Sequence, residues 1–147
     1  MKLTLLIGIP GSGKSTYARR HRLRAISLDA IRRELYGDER ILGSSAQVDR
    51  LMRERLRALA AVGKNAVVDA THVSRKRRER MIRLGRTLGY DRIVGMWFNT
   101  PVGECARRNR LRRNPVPDFV VFKMNRDLQR QPPSAEEGFD ELIEISE

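Results

Sequence analysis

"LLIGIPGSGKSTYARR", residues 5–20, decides how the rest of the chain is read. Gly8, Gly13, Lys14 and Ser15 satisfy the spacing G-x-x-x-x-G-K-[ST]. An apolar run precedes them and a helix-forming segment follows, which is the context such a loop needs. From this chain's composition, a chance match to the four fixed positions has a probability of roughly a quarter of a percent. The physics of the pattern is specific. Glycines let backbone N–H groups turn inward at low steric cost, and the amino end of the following helix adds partial positive charge. Lys14 brings a point charge to the β- and γ-phosphates, and the Ser15 hydroxyl suits Mg²⁺. Gly8, Gly11, Ser12, Gly13, Lys14, Ser15 and Thr16 are therefore the expected nucleotide-binding residues, with a nucleoside triphosphate as phosphate donor. The loop names a donor and leaves the acceptor open.

Working outward, strands alternate with helices. "LTLLIGI" (3–9), "AISLD" (25–29), "NAVVDA" (65–70) and "RIVGMWFN" (92–99) read as buried strands, and "ELIEI" (141–145) as a last edge strand. Gly37 can close the helix after the second strand, and Ser44 or Ser45 can cap the next, which ends at Gly63. Ser74 caps a basic amphipathic helix with Met81, Ile82, Leu84 and Leu88 on its apolar side. Thr100-Pro101 predicts a helix start with proline in the first helical position. Another helix is expected from Asp118 to about Arg130. The expectation is an α/β fold, a parallel four- to five-stranded sheet with helices on both faces, forming a single domain over residues 1–147. The phosphate loop then sits at the carboxyl end of the first strand, where such sheets bind ligands.

Composition narrows the partners. The formal net charge is +12, and residues 131–147 hold six acids and no base, leaving residues 1–130 at +18. Such a field favours polyanions, nucleic acid above all. Of the 30 bases 25 are Arg, a skew that a GC-rich genome would also produce. No apolar run approaches the roughly 20 residues of a membrane span, and the amino end reads as a strand rather than a leader. Cys105 is the single cysteine; it can form no intrachain disulfide, and a cytoplasmic location is expected. Oligomeric state is not legible.

The acceptor side needs a group that takes a hydroxyl proton, or one that positions a water. Asp29 ends the second strand at the same sheet edge as the phosphate loop and can serve as a base. It can equally cap the helix starting at Ala30. Arg32, one turn on, shares its face and would pair with a phosphate on the acceptor. Asp69 ends the third strand, where an acid can help to hold Mg²⁺ through water. Thr71 and His72 follow it. No metal-ligand partners accompany either histidine, so no zinc site is read. "RRNRLRRN" (107–114) can form a mobile arginine-bearing lid over about 107–117, or an ordinary basic helix face. Cys105 and Trp97 read as packing residues.

These residues together resemble the kinase domain of 5′-OH polynucleotide kinases. "GIPGSGKST" is shared with many kinases. "SLDAIRRE" resembles the family's general-base segment, "VVDATH" with "RKRRERMIRLGRTLGY" its third strand and following helix, and "RRNRLRRNPVPDFVVFKMNRDLQRQPPSAEEGFDELIEI" its lid and ending. The resemblance implies a P-loop NTPase kinase fold that moves the γ-phosphate of ATP, with Mg²⁺, to 5′-OH ends of DNA or RNA. It implies Asp29 as general base and Arg32 on the phosphate 3′ to the acceptor nucleoside. It further implies Arg112 on the transferring phosphates, Arg108 beside the nucleotide, and Asp69, Thr71 and His72 toward the acceptor. His72 stands where the family usually has Asn. No D-x-D-G-T phosphatase motif is present, so a stand-alone kinase, or one cut from a larger protein, is expected. Two rivals use the same loop. A small-molecule or zeta-toxin-like phosphotransferase predicts an enclosed acceptor pocket. A non-catalytic, ATP-switched binding module predicts that Asp29 is dispensable.

Overall fold

The computed structural model describes residues 1–146. Five parallel strands form one sheet in the order β2-β3-β1-β4-β5, comprising β1 (Lys2–Ile7), β2 (Ala25–Ser27), β3 (Ala66–Asp69), β4 (Arg92–Phe98) and β5 (Glu141–Ile145). The helices are α1 (Lys14–Arg20), α2 (Leu28–Tyr36), α3 (Ser45–Ala61), α4 (Arg75–Thr87), α5 (Val102–Arg110) and α6 (Asp118–Arg130). A single 3₁₀ turn, Ala135–Glu137, precedes β5. Because every strand runs the same way, the loops after β1, β2, β3 and β4 all emerge at one sheet edge.

Strand period two splits β1 between two apolar clusters. Leu3, Leu5 and Ile7 join Ile31 of α2, Val48, Met52 and Leu56 of α3, and Met81, Ile82 and Leu84 of α4. Leu6 goes to the other side, with Val94, Met96 and Phe98 of β4 and Ala18 of α1. The larger cluster also takes in Cys105 of α5 and Val121 and Leu128 of α6. Trp97 packs half-buried at its margin. Among the described residues no helix is long and apolar enough to cross a membrane.

Serines fix several element starts. Ser44 caps α3 by accepting from the Gln47 amide, and Ser74 caps α4 by accepting from the Arg77 amide. Two boundaries differ from the sequence expectation. The second strand stops at Ser27 instead of running to Asp29. Ser27 accepts from the Ala30 amide at 3.2 Å and so caps α2; the capping role open to Asp29 falls to serine, and Asp29 enters the first helical turn. Pro101 lies one position ahead of α5, which begins at Val102. The first strand is also shorter than residues 3–9, because Gly8 and Ile9 already belong to the loop.

Candidate active site

The phosphate loop is held from three sides. The Gly8 amide donates to the Thr71 carbonyl (3.1 Å), the loop after β3. The Thr100 hydroxyl, after β4, donates to the Ser12 carbonyl (2.9 Å). Gly11, at φ +83°, lies against α5 so tightly that a Cβ there would meet the Cys105 carbonyl oxygen at 2.2 Å. Only glycine suits both that conformation and that approach. Gly13, at φ +100°, leads directly into α1, whose amino end carries no side-chain cap. Its first amides are thus left without a side-chain partner, which suits an anion. Lys14 is buried and Thr16 half-buried on this first turn.

Ser15 and Asp69 meet here. The Ser15 hydroxyl donates to Asp69 Oδ2 at 3.2 Å. Two hard oxygen donors, a hydroxyl and a carboxylate, fit a Mg²⁺ ion whose other ligands are water and phosphate. Asp69 is buried at the end of β3, with Ser15 exposed above it.

A second group gathers around Asp29. In the first turn of α2 it accepts from Arg32 Nη1 at 3.1 Å, an i,i+3 pair. Arg112 comes from the connection between α5 and α6, and its Nη2 lies 3.7 Å from Asp29 Oδ2. One carboxylate therefore sits between two guanidiniums supplied by distant segments. The group is open, with the Asp29 side chain 49% exposed and that of Arg112 33%. Arg32 Nε is buried without a protein partner. Arg33 points away, toward Glu39 (3.7 Å). The α5–α6 connection is pinned beside this cluster. The fully buried Asn109 amide donates to the Val116 carbonyl (2.7 Å), and Asn114 donates to Glu39 Oε2 (3.2 Å). Arg108 donates to Glu104 (3.0 Å), which Arg107 also holds. Arg107 first, and Arg108 with it, bring the Glu104 carboxyl down to about 2.

His72 departs from the acceptor contact expected of it. Its ring is turned into the protein, with Nδ1 2.6 Å from the Leu6 carbonyl oxygen. A carbonyl can only accept, so Nδ1 carries the proton. Burial, with the Lys14 and Arg78 charges adding to it, lowers its pKa to about 4, so the ring is neutral near pH 7. Its backbone sits at φ +48°.

One buried node escaped the sequence reading. Arg78 of α4 is fully buried. Its Nε donates to Glu137 Oε1 (2.7 Å), Nη1 to the His72 and Val73 carbonyls (2.8 and 3.0 Å), and Nη2 to the Gln131 carbonyl (2.6 Å). Glu137 in turn accepts from the Ser134 amide in a capping box. The node ties the Thr71–His72 loop to the C-terminal segment. A signal was present, since Arg78 shares the helical stripe of Met81, Ile82 and Gly85. Within "RKRRER", charge counting hides that register.

Comparison with known proteins supplies the family. The AAA domain profile matches residues 3–131. The chain belongs to this AAA-domain family. It is also similar to a chain of the Pnkp1/Rnl/Hen1 RNA repair complex, with 28% identity and a TM-score of 0.77 over 95% of this chain and 46% of that one. A second Pnkp1/Rnl/Hen1 structure gives 30% identity and a TM-score of 0.65, over 73% of this chain and 38% of the other. The AAA-domain chain thus spans less than half the length of the repair-complex chains it matches. Shikimate kinase from Bacteroides thetaiotaomicron, at 18% identity and a TM-score of 0.55 over 97% of this chain and 84% of its own, shares the fold. The fold is that of a P-loop kinase, as the sequence resemblance implied, and it supports nucleotide binding and phosphotransfer.

Proposed function

We propose that this chain is a polynucleotide 5′-hydroxyl kinase domain that moves the γ-phosphate of ATP to 5′-OH ends of DNA or RNA during end repair. The observation that carries the reading is Asp29 flanked by Arg32 and Arg112, half-exposed at the sheet edge that also carries the phosphate loop. An acid between two guanidiniums is what a hydroxyl acceptor flanked by two phosphoryl groups requires.

In this reading the loop amides and Lys14 bind the triphosphate, and Arg108 flanks the nucleotide. When Mg²⁺ is bound, Ser15 directly and Asp69 through water would hold it, and its charge would offset that of the β- and γ-phosphates. Asp29 accepts the proton of the 5′-hydroxyl as the new O–P bond forms. The bond between the γ-phosphorus and the β,γ-bridging oxygen breaks, and ADP departs. Arg32 trades its bond to Asp29 for the acceptor's 3′-phosphodiester, and Arg112, on the lid over about 107–117, turns to the transferring phosphoryl. The Thr71–His72 loop borders the acceptor through its backbone, since the His72 ring faces inward.

The openness of the Asp29 cluster supports a strand acceptor over the small-molecule or zeta-toxin-like alternative, which needs an enclosed pocket. The test is transfer of label from γ-labelled ATP to a 5′-OH oligonucleotide beside its 5′-phosphorylated twin. Label on the first alone is expected; none, or equal label on both, overturns the proposal. Retained turnover in Asp29→Ala would return the chain to a non-catalytic switch. Matched DNA and RNA strands decide the preferred acceptor.

A further inference from the structure

Phe119 and Phe122 are 72% and 47% exposed, and neither belongs to an apolar cluster. They lie i,i+3 on α6, whose opposite side buries Val121 and Leu128. Helical spacing continues the same outer face through Lys123, Arg126 and Arg130, which are exposed and make no ion pair among the described residues. The acid at the head of the helix, Asp118, is engaged by Arg110 at 2.6 Å. Asp127, the other acid of α6, is half-buried. Two aromatic rings are thus displayed on a stripe whose unpaired charges are basic.

The stripe is also joined by a short connection to Arg112, which lies beside Asp29. Arg112, 3.7 Å from Asp29, and Phe119 are separated by a connection that Asn109 clamps through both the Val116 amide and carbonyl. We infer that the outer face of α6 is a stacking platform for single-stranded nucleic acid, Phe119 and Phe122 taking unpaired bases and Lys123 and Arg126 the phosphates between them. The inference rests on the kinase reading for its direction and on the exposed rings for its chemistry. Base–aromatic stacking beside cations is the usual way of holding a strand without reading its sequence. A protein partner fits less well, because protein interfaces are depleted of lysine, whereas this stripe keeps Lys123 beside the rings and displays three cations with no acid among them.

The test uses the full chain and a fluorescent 5′-OH ten-nucleotide strand, with binding read by anisotropy and transfer measured separately. Phe119→Ala with Phe122→Ala should weaken strand binding about tenfold or more, since each stacked base contributes on that order. Transfer to a nucleoside 3′-monophosphate, too short to leave the Asp29 cluster, should be unchanged. Tyrosine at both positions should restore binding, and leucine should not, because stacking needs a ring. Lys123→Ala with Arg126→Ala should flatten the salt dependence by about two phosphate contacts. Unchanged affinity in the double alanine variant, rescue by leucine, or no strand binding by the unaltered protein overturns the platform. So does concentration-dependent self-association that the alanines abolish while strand affinity holds; that result assigns the face to a second copy. Phenylalanine-dependent binding without any γ-phosphate transfer keeps the platform and removes the kinase proposal.

Discussion

Two arginine–carboxylate clusters, one built on α2 and one on α4, use one chemistry to opposite ends. At Arg78–Glu137 both side chains are fully buried, the contact is 2.7 Å, and three backbone carbonyls accept from the two terminal nitrogens, so that every guanidinium nitrogen has a protein partner. At Asp29 the carboxylate is half in water, one arginine is at 3.1 Å and the other at 3.7 Å, and Arg32 Nε stays unpaired. The first cluster has no alternative partner to turn to and can only hold the β3–α4 loop against the C-terminal segment. The second is loosely made and open to water. A buried guanidinium with a protein partner at every nitrogen suits a structural tie, and a half-exposed, loosely made cluster suits the partner exchange that the kinase proposal requires.

The comparison breaks if the two clusters respond alike to removal of their acids. Asp29→Asn keeps the shape and removes the base; transfer should fall by about 10²–10⁴-fold, while the melting temperature stays within a degree or two of the parent. Steady-state label transfer beside a thermal melt reads both. Glu137→Ala should do the reverse. It leaves a buried guanidinium uncompensated, at a cost of about 3–5 kcal/mol, which is a large part of the stability of a domain this size. Urea unfolding monitors it. Adding Arg78→Met to that variant should not recover the loss, because the His72, Val73 and Gln131 carbonyls then lose their donor.

His72 supplies the next effect in size, through pH. Its carbonyl belongs to the buried node and its neutral ring donates to Leu6. Folding lowers its pKa from 6.5 to about 4, so the unfolded chain binds the extra proton first. The stabilisation is complete above pH 6.5 and fades as pH falls toward 4, amounting to about 3 kcal/mol across that window. Below pH 4 the histidine contributes no further loss. His72→Asn, which cannot titrate, should flatten the stability profile between pH 6.5 and 4. An unchanged slope would remove His72 as its source.

How much of this was legible in the sequence follows from what each feature depends on. The sheet, the phosphate loop and the span of α6 depend on local periodicity and turn chemistry, and they were read with errors of a residue or two. In "AISLD" the apolar Leu28 extends the expected strand past Ser27 to the acid, whereas Ser27 caps α2 and ends β2. Asp29 and Arg32 were paired by helical spacing alone. Arg112 needed the family resemblance, since one arginine in "RRNRLRRN" looks like the next until the chain folds back on α2. Arg78 was lost for the opposite reason: its partners, Gln131 and Glu137, lie more than 50 residues away, and no local pattern announces a buried charge.

Arg32→Ala is expected to have a smaller effect than either acid. About a tenfold loss on acceptors with a 3′-phosphodiester, against little loss on those lacking one, matches a single charge-assisted contact. Equal losses on both acceptors would make Arg32 a partner of Asp29 only, and the open cluster would then differ from the buried one merely in degree. The smallest effect is the control for the whole comparison. Arg53 and Asp49 on α3 lie 2.7 Å apart, the same separation as Arg78 and Glu137, but their side chains are 28% and 50% exposed. Water screens both charges in the folded state and solvates them nearly as well when apart, so Asp49→Ala should shift stability by no more than about 0.5 kcal/mol and leave transfer untouched. A loss near that of Glu137→Ala would mean that contact distance, rather than burial and the number of satisfied donors, decides what an arginine–carboxylate pair does in this protein.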